Sequence, residues 1–400
     1  MTNYESLPLG ELGKTVTGKT PKTDNPENFG PDYMFIGPTD LHKHFFITSS
    51  ERMLSAKGLE SIKGSILNGV SVLVGCIGWD MGNVGVVEGK CATNQQINSI
   101  TNIHEKYNPL YIYYWLKTKK DFLYQQASVT RTPILNKTDF SSIRINIPKE
   151  RKYQDKVVGL LAAIDNKIEL NNRINAELES MAKTLYDYWF VQFDFPDDSP
   201  QGQGKPYKSS GGKMVYNPIL KREIPEGWEA VSVGNIVDIK TGKEDANYAT
   251  ENGKYHFFTC GESALRCDDF VFKGKAVLLA GNGSFSVKRY EGKFNAYQRT
   301  YVLIPKQDEL YAPLYFAVND KVKTLTSGSR GSIVKFITKG DIEDIYLPLP
   351  RNRELDFVKT LNDCFKESSR LYEQNLELVS LRDWLLPMLM NGQVTVGEAS

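Results

Sequence analysis

The chain lacks a long apolar run, a surplus of either charge and a dense set of cysteines, and each absence narrows what it is able to do. Its most apolar stretch, residues 65–79, is broken by Gly69, Gly75 and Gly78 and is too short to span a bilayer. The first residues, Met1-Thr2-Asn3-Tyr4-Glu5, carry no basic segment followed by an apolar one, so the expectation is a cytoplasmic protein with no membrane association. The cysteines (Cys76, Cys91, Cys260, Cys267, Cys364) are odd in number and scattered, which points to buried free thiols rather than disulfides or a zinc site. The histidines His42, His44, His104 and His256 show no metal-ligand spacing, and no metal is assigned. With 49 Lys and Arg against 48 Asp and Glu, the net charge of +1 means that any surface for nucleic acid has to be local.

Catalytic signatures are missing too. An amino-methyltransferase needs Asn or Asp followed by Pro-Pro and an aromatic residue, and Asn108-Pro109-Leu110 and Asn217-Pro218-Ile219 depart from that. No Gly-x-x-x-x-Gly-Lys-[Ser/Thr] loop is present to cradle a triphosphate. Gly202-x-Gly204 and Gly281-x-Gly283 are half-motifs in a connector and an expected hairpin. The acidic pairs Asp197-Asp198 and Asp268-Asp269 lack further ligands nearby and read as solvated loops. We therefore assign no catalytic residue and expect no cofactor on this chain.

What the chain does have is a repeat, which fixes the fold class. Leu9-Gly10-Glu11-Leu12 leading to Thr17-Gly18-Lys19 returns as Val233-Gly234-Asn235-Ile236 leading to Thr241-Gly242-Lys243. Pro109-Leu110-Tyr111 returns as Pro313-Leu314-Tyr315, and residues 139–148 return as 341–350. Asn175, Leu178, Ser180 and Leu185 match Asn375, Leu378, Ser380 and Leu385 without a gap. Each copy is a globular α+β region, roughly 1–148 and 226–350, followed by a long helix. Apolar runs such as Val70 to Val74 and Ala276 to Leu279, bounded by Gly and Asn, predict strands. One helix per region is expected, the clearer over 109–120, where proline opens it well. From 150 to 189, Val157, Leu161, Ile164, Ile168, Ile174, Leu178, Met181, Leu185 and Tyr188 recur every three or four residues. The second helix repeats this with Phe357, Leu361, Cys364, Leu371, Leu378, Leu381 and Leu385, ending near Pro387. Such spacing predicts a coiled-coil seam, with Asn171 and Asn375 set to fix its register. An internal pseudo-twofold axis makes the two helices antiparallel, each about 60 Å long, with the globular regions separated by them. Residues 196–212, rich in Pro, Gly, Ser and Lys, read as a flexible connector.

Several stretches give the chain a family resemblance. Gly18-Lys19-Thr20-Pro21, then Tyr33-Met34-Phe35-Ile36 and Thr39-Asp40-Leu41, resemble the start of a target recognition domain of type I restriction-modification specificity (S) subunits. Ala92-Thr93-Asn94-Gln95-Gln96, Thr326-Ser327-Gly328-Ser329-Arg330, residues 188–195, Leu385-Leu386-Pro387 and Asn391-Gly392 are similar to further stretches of that family, in its order along the whole chain. The second region departs from the first, having Glu244-Asp245 in place of Thr-Pro and Tyr297-Gln298-Arg299 where the first has Thr93-Asn94-Gln95. The resemblance implies target recognition domains at 1–149 and 226–350, a central conserved helix at 150–195, a linker at 196–225 and a C-terminal conserved helix at 351–400. It also implies a non-catalytic subunit that reads a bipartite site in double-stranded DNA and docks two methyltransferase subunits and restriction/translocase subunits. S-adenosylmethionine, ATP and magnesium would then be bound by those partners.

Residue chemistry nominates the DNA contacts, since phosphates take cations and base edges take Arg, Lys, Asn, Gln, Ser or Thr. In the first region these are Thr17, Lys19, Thr20, Lys22, Asn94, Gln95, Arg131 and Thr132. In the second they are Thr241, Lys243, Asn282, Ser284, Lys288, Arg289, Gln298, Arg299, Ser329, Arg330 and Lys335. Arg131 and Arg330 rank first, each following a Ser/Thr-containing loop. Asn94 and Asn282 read equally well as turn residues, because Asn282-Gly283 is a hairpin signal. Leu161, Ile168, Leu178, Leu185, Leu361, Leu371, Leu378 and Leu385 are the seam and partner positions. The competing reading is a coiled-coil scaffold that binds proteins without DNA specificity; only DNA binding would weaken steeply with salt.

Overall fold

The computed structural model describes residues 3–42, 45–127, 132–197, 200, 202–326, 336–352 and 355–396. Its contacts divide the chain into two units, one of residues 1–170 with 375–400 and the other of residues 171–374. Each long helix is therefore shared, giving one half to each unit.

In the first unit, Lys14–Thr17, Ile97–Thr101, Ser71–Gly75, Val84–Val87 and Phe46–Ile47 form a sheet in that order. Its first three junctions are antiparallel and the last is parallel. The second unit repeats the arrangement with Val237–Thr241, Thr300–Pro305, Phe272–Ala280, Val287–Ala296 and Tyr255–Phe258, again three antiparallel junctions and then a parallel one. Two-stranded ribbons match as well, Tyr4–Pro8 with Arg144–Pro148 and Trp228–Ser232 with Tyr346–Pro350. The repeat in sequence is thus a repeat in topology. The central strand Ser71–Gly75 is buried at every residue, which is why its sequence is a run of small and β-branched side chains without alternation. The first unit adds a four-stranded sheet, Arg52–Leu54, Phe29–Ile36, Cys91–Thr93 and Ile66–Leu67, which lengthens its globular region.

The long helices run Arg151–Tyr186 and Lys359–Met390. Within the first unit the Arg382 guanidinium meets the Asp165 carboxylate at 2.8 Å while Asn375 Nδ2 reaches the Ile168 carbonyl at 3.5 Å. One number falls as the other rises, so the helices are antiparallel there. In the second unit Asn171, fully buried, donates to Gln374 Oε1 at 2.9 Å. Leu161, Leu361 and Leu371 are buried, and Ile168, Leu178, Leu185, Leu378 and Leu385 are half-buried. Both asparagines lie on the seam, as the spacing predicts.

Three local expectations are revised. The connector is fastened: its described residues pair Pro196–Asp197 with Lys205–Pro206, and Met214–Asn217 with Arg222–Pro225. The Asp194 carboxylate accepts from the Ser209 N–H and hydroxyl, and Tyr207 stacks on Phe195 at 4.9 Å, so polar composition there conceals side chains with fixed partners. The single helix expected over 109–120 is instead two, Pro109–Lys117 and Lys120–Gln126, and the region also holds the short helices Ala56–Ser61 and Lys137–Ser142. The last long helix continues through Pro387 to Met390, where Leu386, Leu389 and Met390 join the first unit's core. All five cysteines are free, and burial pushes Cys76 up to about 11 and Cys91 to about 12.

His256, on Tyr255–Phe258, is packed beside Tyr290 and Phe258. Burial, and secondarily the Arg266 charge, lower its pKa from 6.5 to about 4. Glu373, half-exposed at 3.6 Å from Nε2, is screened by solvent and does not reverse this. The folded state therefore holds the neutral ring. Stability from this group is complete above pH 6.5 and drains away as pH falls toward 4, because the unfolded chain takes the proton first. Urea unfolding is expected to show a loss of about 2 kcal/mol between pH 7 and pH 5 that His256→Gln abolishes. Equal losses in both proteins would refute the assignment.

Candidate nucleic-acid interface

Each unit makes the same set of backbone bonds, and in the second unit they frame a cleft. In the second unit the chain leaves Val237–Thr241 across Gly242, where a Cβ would lie 1.8 Å from the Ala296 carbonyl oxygen. Only glycine permits that approach. Gly242 N–H donates to the Thr300 carbonyl (3.2 Å), Gly281 N–H to Arg299 (2.9 Å) and Ile337 N–H to Gly281 (2.8 Å). The Tyr301 hydroxyl donates to the Ile337 carbonyl at 3.1 Å. Four separate segments thereby enclose a cleft of about 480 Å³ lined by Thr241, Asn282, Gln298, Arg299, Tyr301, Phe336 and Thr338, with no carboxylate among the described residues that line it.

The first unit makes the corresponding bonds. Gly18 N–H donates to Ile97 (3.0 Å), Cys76 N–H to Gln96 (2.8 Å) and Leu135 N–H to Cys76 (2.9 Å). Asn98 Nδ2 reaches the Leu135 carbonyl at 3.1 Å, where the second unit uses Tyr301. A Cβ on Gly18 would lie 2.0 Å from the Asn94 carbonyl oxygen, repeating the constraint at Gly242. A short helix follows these bonds in each unit, Lys137–Ser142 capped by Asn136 and Lys339–Glu343 capped by Thr338.

These bonds correct the correspondence between the regions. Asn94 N–H donates to Ile36 as Tyr297 N–H does to Phe258, and the Gln96 and Arg299 carbonyls accept from Cys76 and Gly281. Tyr297 therefore stands on Asn94, not Thr93. Gln298 falls on Gln95, and Arg299 on Gln96. Short motif matching missed the offset of one because neighbouring polar residues align nearly as well either way.

The nominated residues separate into distinct groups. Thr241, Asn282, Gln298 and Arg299 share the second cleft. Lys243 is exposed beside Thr241, on the far side of Gly242. Thr17 donates to Asn98 Oδ1 and Thr20 to Gln95 Oε1, both at 2.6 Å, with Lys19 exposed between them and Lys22 exposed just beyond. Asn94 is a turn residue, its Oδ1 accepting from Gln96 N–H at 3.0 Å. Asn282 sits in a longer hairpin loop, accepting from the Cys260 thiol at 3.2 Å, and the Ser284 hydroxyl is spent on the Cys260 carbonyl at 2.6 Å. Thr132 is exposed. Arg131, Ser329, Arg330 and Lys335 lie outside the described residues.

Lys288 and Arg289 are not surface cations. Lys288 donates to the Thr259 and Gly261 carbonyls, and burial lowers its pKa. Arg289 lies over the Phe365 ring at 4.2 Å and bonds Glu179 at 3.0 Å and Ser368 at 2.9 Å, tying the sheet to both long helices. Charge type alone did not reveal that burial. Sequence reasoning also passed over Gln96, Asn98, Tyr301 and Thr338; the caps preceding Asp139 and Asp341 were the available signal. Among the described residues, no group of three His, Cys, Asp or Glu side chains is placed to hold a metal ion. No helix is long and apolar enough to cross a membrane among those residues.

The pattern that defines the type I restriction modification DNA specificity domain matches residues 1–180 and 225–373, and the chain belongs to that family. It is 25% identical over 424 aligned positions to the MjaIX specificity subunit of Methanocaldococcus jannaschii, covering 99% of this chain and 94% of that one. It is 40% identical over 178 residues to the EcoDI specificity subunit of Escherichia coli, a match spanning 43% of this chain and 40% of that subunit's length. The solved S subunit from M. genitalium shares the fold, with a TM-score of 0.62 at 14% identity over 100% of this chain and 97% of that one.

Proposed function

We propose that the chain is the non-catalytic DNA-reading subunit of a type I restriction-modification complex, each unit reading one half of a bipartite site. One observation carries this reading: the two units make the same backbone bonds around Gly18 and Gly242 yet present different polar side chains there. Gln96 of the first unit corresponds to Arg299 of the second, so the half-sites should differ in sequence. The long helices set the gap between half-sites and dock two methyltransferase subunits, with restriction/translocase subunits added for cleavage. Exposed Leu160, Leu381 and Trp384 in the first unit, and Ile174 and Met181 in the second, supply the apolar surface such docking needs. S-adenosylmethionine, ATP and magnesium belong to those partners, and the complex works in the cytoplasm.

Co-expression with the methyltransferase encoded beside it, followed by genome-wide mapping of modified adenines, should yield a two-part motif with an undefined gap. A soluble complex that methylates nothing would instead favour the scaffold reading.

A further inference from the structure

At one corresponding position the two units carry an exposed apolar side chain where solvation favours a polar one. Ile134 is 41% exposed and Phe336 is 65% exposed. Each directly precedes a buried anchor, Leu135 or Ile337, whose N–H is bonded to the Cys76 or Gly281 carbonyl. Successive side chains of an extended segment point to opposite sides, so pinning the anchor inward holds its neighbour outward. Ile134 is extended in this way, forming a bridge with Ile77. Phe336 lines the same cleft as Gln298 and Arg299.

We propose that Ile134 and Phe336 are wedges that insert against a base step of the half-site each unit reads, partly unstacking it. This rests on the reading of the clefts as DNA-binding. Isoleucine and phenylalanine are among the side chains able to enter a base step, and the opened step lets DNA bend onto more protein surface. The neighbouring amide and guanidinium groups hold the register by bonding base edges, while the wedge selects for steps that open easily, pyrimidine–purine steps above all. A position that reads bases only through hydrogen bonds would have no use for an exposed phenyl ring.

The test uses the full chain assembled with its methyltransferase subunit. Duplexes carry the mapped motif with 2-aminopurine at successive positions, and anisotropy reports binding independently. Fluorescence should rise at one step in each half-site. Phe336→Ala should abolish only the rise in the second unit's half-site, and Ile134→Ala only the other, while Phe336→Ile retains part of it. Both side chains are exposed, so the variants should melt with the parent. Tight, specific binding with no rise at any step overturns the wedge and leaves the DNA-reading assignment standing. Failure to bind the duplex at all overturns both.

Discussion

Asp165→Ala should destabilise the first unit by about 3 kcal/mol, the cost of breaking a buried ion pair from one side. The Asp165 carboxylate, 4% exposed, accepts from the Tyr114 hydroxyl at 2.7 Å and from Arg382 at 2.8 Å. It thus joins a helix of the globular region to both long helices. Burial opposes the Arg382 charge, but the bonds and fields of Asp165 and Asp383 outweigh it and raise its pKa. Without Asp165, Arg382 keeps only the exposed Asp383 among the described residues, and a buried phenol loses its acceptor. In the second unit the corresponding positions are Phe365, Ala182 and Val318, all buried in one apolar cluster. Asp165→Leu combined with Arg382→Met should therefore recover most of the loss. Urea unfolding of the single and double variants provides the check, and a cost below about 1 kcal/mol for Asp165→Ala would show that water replaces the carboxylate.

Arg299→Gln should change which DNA is methylated without reducing assembly. Arg299 is exposed in its cleft, makes no side-chain bond to the described residues, and occupies the place of Gln96 in the first unit. On the proposed reading an arginine there would pair with the O6 and N7 of a guanine, a contact worth about 1–3 kcal/mol of discrimination, or roughly 5- to 150-fold. The second half-site should lose its preference at one base pair, while the first half-site and the gap persist. Lys243→Ala, acting on phosphate, should weaken all sites alike and lower the salt slope by about one. An unchanged methylation motif with Arg299→Gln would remove that residue from base reading. Arg289→Ala should act otherwise, loosening the sheet from the helices without altering base preference.

Sequence periodicity reached far in this chain because helices and repeats are local patterns. The three- and four-residue spacing located both long helices and placed Asn171 and Asn375 on their seam, since a buried amide stands out among leucines. Gly18 and Gly242 were visible as matched positions; that each makes room for the next segment's carbonyl was not, because the obstructing atom lies far away in sequence. The same distance hid the burial of Arg289, whose partners Glu179 and Ser368 come from two other elements. The connector misled for the opposite reason. Its Pro, Gly and Ser content describes an unattached chain, whereas Asp194 and Phe195 hold it down.

By itself, the sequence determined the duplication, the α+β class, the family and the residue types available for reading DNA, because composition, spacing and order survive without coordinates. Tertiary structure decided which of those residues share a cleft, that Gln96 and not Gln95 corresponds to Arg299, and that a buried polar triad in one unit answers an apolar one in the other. Those facts depend on long-range hydrogen bonds and on burial, which arise only when segments distant in the chain are packed together.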